Sequence, residues 1–169
     1  MPTSAQTLRS EKPGPGSYFL AMKTILVPVD LSAATVRVCD AACALAQLIQ
    51  ARLVLLHVVE PPPILFGDAY AFDAGALALA VTAGEKYATR RLRALGSRYS
   101  RRQQAVQTVQ ITGRPVATIL AQAATTKADY LVLGSHGHGV AYDLLVGSTA
   151  QGILRKAPCP VLVVPMGRR

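Results

Sequence analysis

The residues best suited to chemistry are the glycine-spaced run Gly134-Ser135-His136-Gly137 and, nine residues later, Gly147-Ser148-Thr149. The run follows an apolar stretch, Tyr130 to Leu133, that reads as a strand, and it opens into a helical pattern from Ser148 to Lys156. A strand that empties into glycines and then into a helix start is suited to holding phosphates. Glycine lets backbone approach the ligand closely, and N–H groups of a first helical turn point at negative charge. In a chain of this composition the pattern would arise by chance about 1% of the time, and its place between strand and helix raises its weight. Its residues therefore read as a nucleotide-binding loop.

Elements that would position this loop alternate along the chain. Lys23 to Val27 is an apolar run ending at Pro28-Val29-Asp30. Ser32 to Gln50 is helical, with Val36, Cys39, Cys43, Leu45 and Ile49 as its apolar stripe. Arg52 to Val59 reads as a second strand, stopped by Pro61-Pro62-Pro63. A loop over 64–73 precedes a helix over roughly 74–97. Ala105 to Ile111 alternates with period two, as a half-exposed edge strand does. Gly113-Arg114-Pro115 begins the third helix, with proline where its missing N–H costs little. Val161 to Val164 is the fifth strand.

Strands separated by helices predict an α/β fold, an open five-stranded parallel sheet with helices on both faces. The first, second and fourth strands are apolar throughout and so buried on both sides, whereas the third suits an edge. The predicted order is 3-2-1-4-5. It reverses between strands one and four, where ligands bind beyond the carboxyl ends of the strands. Asp30 and Gly134 both fall there.

Composition narrows the function classes. The chain has 169 residues, half of them apolar, with no apolar stretch near the ~20 residues of a membrane span. No secretory signal is visible at the N-terminus, and the expected location is cytoplasmic. Residues 1–21, with Pro13-Gly14-Pro15-Gly16, read as a flexible tail, and 22–169 as one domain. Cys39, Cys43 and Cys159 form no disulfide framework; the first two share a helix face and read as small buried apolar residues. The net charge of +9 is concentrated between Glu85 and Arg102, where seven basic residues face one acid. A solvated helix face accounts for that segment; a patch for nucleic acid, an acidic partner or lipid is the functional alternative. No aromatic ladder or nucleic-acid motif accompanies it, which makes nucleic acid the weaker partner class.

The run Gly134-x-x-Gly137-x9-Gly147-Ser148, followed by Ala157-Pro158-Cys159-Pro160-Val161-Leu162-Val163-Val164-Pro165, resembles the C-terminal signature of the universal stress protein family. Ile25 to Ser32 and Leu55-Leu56-His57-Val58-Val59 resemble its first two strands, so the likeness covers about residues 23–165. The glycine pattern is that of the ATP-binding branch, with a fold of the adenine nucleotide alpha hydrolase-like type. The resemblance implies that Asp30 meets the nucleoside, that Val58, just past strand two, packs on the adenine, and that Pro28 shapes the pocket wall. It implies that Gly134, Ser135 and Gly137 carry backbone past the phosphates, which Gly147, Ser148 and Thr149 receive. His136 and His138 lie in the same loop and would touch phosphate when charged. Magnesium would accompany the phosphates. Each assignment has a plain structural counterpart: Asp30 as a cap for the helix near Ser32, Val58 and His57 as packing residues, Ser148 as an N-cap.

No catalytic constellation accompanies the loop. The Walker lysine of Gly-x-x-x-x-Gly-Lys is absent, and no nucleophile–base pair is evident. Asp143, between the glycines, is the one candidate for positioning a water. The reading is thus an ATP-binding stress-response or regulatory protein. The alternatives are a slow ATP hydrolase using the same pocket, or a dimeric interaction module whose basic patch binds an acidic partner. Val161 to Val164 would be an open apolar edge, and pairing with its own copy would satisfy it; the resemblance also implies a homodimer there.

Overall fold

Alternation along the strands gives the sheet two buried faces. In the computed structural model, which describes residues 22–61, 74–102, 105–135 and 146–165, β1 (Thr24–Pro28) sends Ile25 and Val27 to one side and Leu26 to the other. The next strand, β2 (Arg52–Val59), divides Leu53 and Leu55 from Val54 and Leu56 in the same way. Side chains of a strand point alternately to opposite faces, so an unbroken apolar run must be covered on both.

Helix α1 (Thr35–Ile49) and helix α2 (Ala74–Ser100) cover the first face, packing Val38, Cys39, Ala42, Cys43, Leu92 and Tyr99 against the sheet. The second face is covered by α3 (Pro115–Thr125) and α4 (Ser148–Leu154) through Ile119, Ala123, Ala150 and Ile153. With β3 (Val106–Thr112), β4 (Tyr130–Gly134) and β5 (Val161–Val164) the sheet has the order β3-β2-β1-β4-β5, all pairs parallel. This is the predicted topology. The tail 1–21, the loop 64–73, and His136, Gly137, His138 and Asp143 lie outside the described residues.

Two local expectations are corrected. Helix α1 begins at Thr35 rather than Ser32, because the chain first makes a turn through Leu31, whose φ of 61° is left-handed. The stripe of α1 is also rotated: Val38, Ala42 and Ala46 join Cys39 and Cys43 at its centre, while Val36, Leu45 and Ile49 flank it and are only partly buried. Small residues dominate the centre because α1 lies close over the strands, and Ala and Cys allow that approach. Burial, helped by the charge of Asp40, pushes the Cys39 thiol up to about 12, so it stays protonated and packs as an apolar group. Among the described residues no group of His, Cys, Asp and Glu could hold a metal ion.

Tyr99, fully buried at the end of α2, donates its hydroxyl to the Val36 carbonyl (3.1 Å) and to Asp40 Oδ1 (2.9 Å), and Arg102 Nη1 reaches the same oxygen at 2.7 Å. These bonds clamp α2 to α1. On the other face α3 and α4 meet at Gly152, where an added Cβ would stand 2.8 Å from Val116 Cγ2 and 3.1 Å from Cγ1. Valine is stiff at χ1 and cannot yield easily. Gly152→Ala is therefore expected to destabilise the fold by ~1–3 kcal/mol, the usual range for overpacking, read as a lower urea midpoint.

Candidate functional site

The chain leaves the C-terminal ends of β1 and β4 for opposite faces of the sheet, α1 on one side and α4 on the other. Between them opens a crevice of about 520 Å³, within the range of small-molecule sites. Backbone bonds hold its floor. Val29 N–H donates to Leu56 O at 2.8 Å, Ser135 N–H to Val164 O at 2.9 Å, and Gly113 N–H to Val59 O at 2.9 Å. His57 Nδ1 donates to the Val29 carbonyl at 2.9 Å, which ties the end of β1 to β2. His57 is thus a half-buried structural donor that also lines the crevice.

Pro28, Asp30, Val58, Gly134, Ser135, Gly147, Ser148 and Thr149 all line this one crevice. Val58 lies inside β2 rather than past its end, since the strand runs on to Val59. It packs against the second core cluster as well as lining the crevice, so its two readings coexist. Gly147 N–H donates to the Ser135 carbonyl at 2.8 Å, closing the neck of the segment between them. Its φ of −58° and ψ of 155° are open to any residue, so glycine there is not required by backbone conformation. Ser148 is the first residue of α4 and not its N-cap; Gly147 holds that position, with no side-chain bond to the helix. Ser148 and Thr149 are exposed at the rim.

Asp30 is not the N-cap of α1, which is Ala34. Its Oδ1 accepts the Ser32 N–H at 3.0 Å and the Thr35 hydroxyl at 3.0 Å, while Ser32 Oγ accepts the Ala34 N–H at 3.2 Å. These bonds build the turn that carries the chain from β1 into α1. Leu31 at its centre is held in the left-handed region by packing on the first core cluster and by Arg91 Nη2, which donates to its carbonyl at 3.3 Å.

Several crevice residues were not evident from the sequence. Thr35, Glu60, Pro115 and Ile119 also line it. Pro115 had a signal, a helix start directly after the third strand, but its reach toward strand one depends on how α3 folds back. The arrangement as a whole is an apolar floor of Pro28, Val58 and Ile119 with a rim of Asp30, Ser148 and Thr149.

An open parallel sheet with a crevice where its strand order reverses defines a doubly wound α/β protein, a class that binds its ligands beyond the carboxyl ends of the strands. The profile of the universal stress protein family matches residues 22–165, and the chain belongs to that family. It is 36% identical over 142 residues to a universal stress protein of Thermus aquaticus, covering 84% of this chain and 98% of the relative. Among solved structures, universal stress protein UspA from Lactobacillus plantarum superposes with a TM-score of 0.71 at 30% identity, covering 84% of this chain and 97% of that one. A universal stress protein solved in complex with cAMP shares the fold at a TM-score of 0.58 and 23% identity, covering 86% and 98%.

The bonds to Asp30 predict a stability effect separable from any ligand. Asp30→Ala should lower the unfolding free energy by ~1–3 kcal/mol, the cost of leaving the Ser32 N–H and Thr35 hydroxyl without their acceptor. Asp30→Asn keeps an oxygen at Oδ1 and should recover most of it. Urea unfolding of the two variants without nucleotide checks this.

Proposed function

We propose that the crevice binds an adenine nucleotide, with ATP as the ligand, and that the protein works as a nucleotide-dependent stress-response or regulatory protein rather than by turnover. The observation that carries the reading is the meeting of Asp30, from the end of β1, with Gly134, Gly147 and Ser148, from the β4–α4 region, across one crevice. Membership of the family and the cAMP complex of a relative support it. The base lies on Pro28, Val58 and Ile119; the ribose hydroxyls donate to Asp30; the phosphates meet backbone N–H and hydroxyl groups at Ser148 and Thr149, with His136, Gly137 and His138 of the intervening segment beside them.

Magnesium fits this site only as a companion of the phosphates. The described crevice offers it the hydroxyl oxygens of Ser148 and Thr149, hard donors of the kind it accepts, and the ion would neutralise phosphate charge.

Gly147→Val tests the pocket. Valine adopts the backbone angles of Gly147 without strain, so the fold should persist while the branched side chain blocks the phosphates. Calorimetry should show ATP affinity at least ~100-fold lower, ~2.7 kcal/mol; undiminished affinity rejects the pocket. Phosphate release from bound ATP by the wild-type protein would instead favour the hydrolase reading.

The partner in this proposal is a second copy of the chain, joined through β5. Val163 and Val164 pack into the core, but Leu162 stands 42% exposed on the edge strand, an open row that pairing would cover. Leu162→Lys leaves the packed face intact and should convert a dimer to a monomer in sedimentation velocity. A wild-type chain that sediments as a monomer at micromolar concentration removes this part of the proposal.

A further inference from the structure

The basic residues of α2 and its C-terminal end divide into two lines with different fates. Arg91, Arg98 and Arg102 lie on the side that approaches α1. Arg91 donates to Tyr87 Oη at 2.9 Å and to the Leu31 carbonyl, Arg98 and Arg102 lie over the Tyr99 ring, and Arg102 pairs with Asp40. Arg91 and Arg102 thereby tie α2 and its end to the α1 side, while Arg98 lies against its own helix. Lys86, Arg90 and Arg93 are four and three residues apart and so stand in one row about 10 Å long. All three are exposed, and among the described residues none pairs with a carboxylate. With Thr89 they border a shallow depression of about 310 Å³. Arg101 follows just beyond the helix.

The same helix is zoned along its length. Its first ten residues, Ala74 to Ala83, contain no charged residue, and the basic residues begin only after Glu85. Leu79, seven residues before Lys86 and thus two turns back on the same line, is 73% exposed. The inner side of α2 is already occupied by the sheet, through Ala88, Leu92 and Tyr99. The outer line is therefore exposed as a one-sided ridge with an apolar end and a cationic end.

We propose that this ridge docks on an anionic lipid surface, with a headgroup phosphate in the depression between Lys86, Arg90 and Arg93 and Leu79 entering the interfacial layer. A cationic row complements acidic headgroups, and a neighbouring exposed leucine is a group that a bilayer interface takes and a phosphodiester backbone does not. Three or four cations and one leucine give peripheral binding that salt reverses.

Co-sedimentation of the full chain with vesicles tests this. Binding is expected to vesicles containing phosphatidylserine at low salt, to fall steeply at high salt, and to be absent on pure phosphatidylcholine. Lys86→Gln, Arg90→Gln and Arg93→Gln should each reduce partitioning about fivefold. Arg98→Gln makes the same change of net charge on the other line and should change it by less than about twofold. Leu79→Gln should reduce it several-fold with no change of charge. All these side chains are exposed, and far-UV circular dichroism checks that each variant is folded. Equal losses for Arg98→Gln and Arg93→Gln, undiminished binding in Leu79→Gln, or binding to neutral vesicles each overturns the proposal. So does retention on duplex DNA or polyglutamate under conditions where the vesicles are not bound.

Discussion

A parallel sheet cannot be closed by hairpins, so every strand must be joined to the next by a crossover, and each crossover chooses a face. Here α1 and α2 take one face and α3 and α4 the other. The two choices meet between β1 and β4, neighbours in space that are distant in sequence. At that seam one connection leads to α1 on one face and the other to α4 on the opposite face, and the crevice opens between them. The crevice is thus a consequence of strand order. The residues that could serve a ligand are those at the carboxyl ends of β1, β2 and β4 and at the starts of α1, α3 and α4.

Such a gap is useful only if its walls do not collapse into it. The strands beneath are fully buried over Ile25, Leu26 and Val27 in β1 and Leu131 and Val132 in β4, which makes the floor stiff. The walls are held by a small set of directional bonds at the carboxyl edge: Val29 to Leu56, His57 to Val29, Ser135 to Val164 and Gly147 to Ser135. Each joins the end of one element to the end of another. The turn at Asp30 completes the set and carries a cost, since Leu31 is left-handed without being glycine, a conformation that disfavours L-residues by ~1–2 kcal/mol. Packing of Leu31 and the Arg91 bond to its carbonyl offset that cost. Asp30, whose Oδ1 builds the turn, also lines the crevice, so the turn and the proposed nucleoside contact would share one carboxylate.

How much of this could be read from the chain follows from the range of each signal. Strand order was legible because burial on both faces leaves an unbroken apolar run, as in Leu53 to Leu56, while the edge strand β3 mixes Gln and Thr among its apolar residues and is nowhere fully buried. Gly134, Gly147 and Ser148 were legible because their spacing sits between a strand and a helix. The start of α1 was not: nothing in Leu31 announces a left-handed turn, and Asp30 reads as a helix cap when its bonds build that turn. The stripe of α1 was misplaced because alanines at 42 and 46 carry little apolar signal yet are fully buried in the core under the helix. Thr35, Glu60 and Ile119 belong to the crevice through tertiary folding alone, and no local pattern marks them.

The division of cations along α2 shows the same limit from the other side. Composition concentrates charge between Glu85 and Arg102 but cannot say which of those charges are engaged. The helical period does so only once the inner side is fixed by Leu92 and Tyr99. From that phase, Arg91 reaches the Leu31 carbonyl, Arg98 lies over Tyr99 of its own helix, Arg102 just past the helix end pairs with Asp40 of α1, and Lys86, Arg90 and Arg93 fall outward. A fold that needed only solubility could scatter its charge. One that ties α2 to the α1 side through Arg91 and Arg102, and aligns Lys86, Arg90 and Arg93 on the opposite ridge, separates a structural use of cations from a surface one along a single stretch of chain.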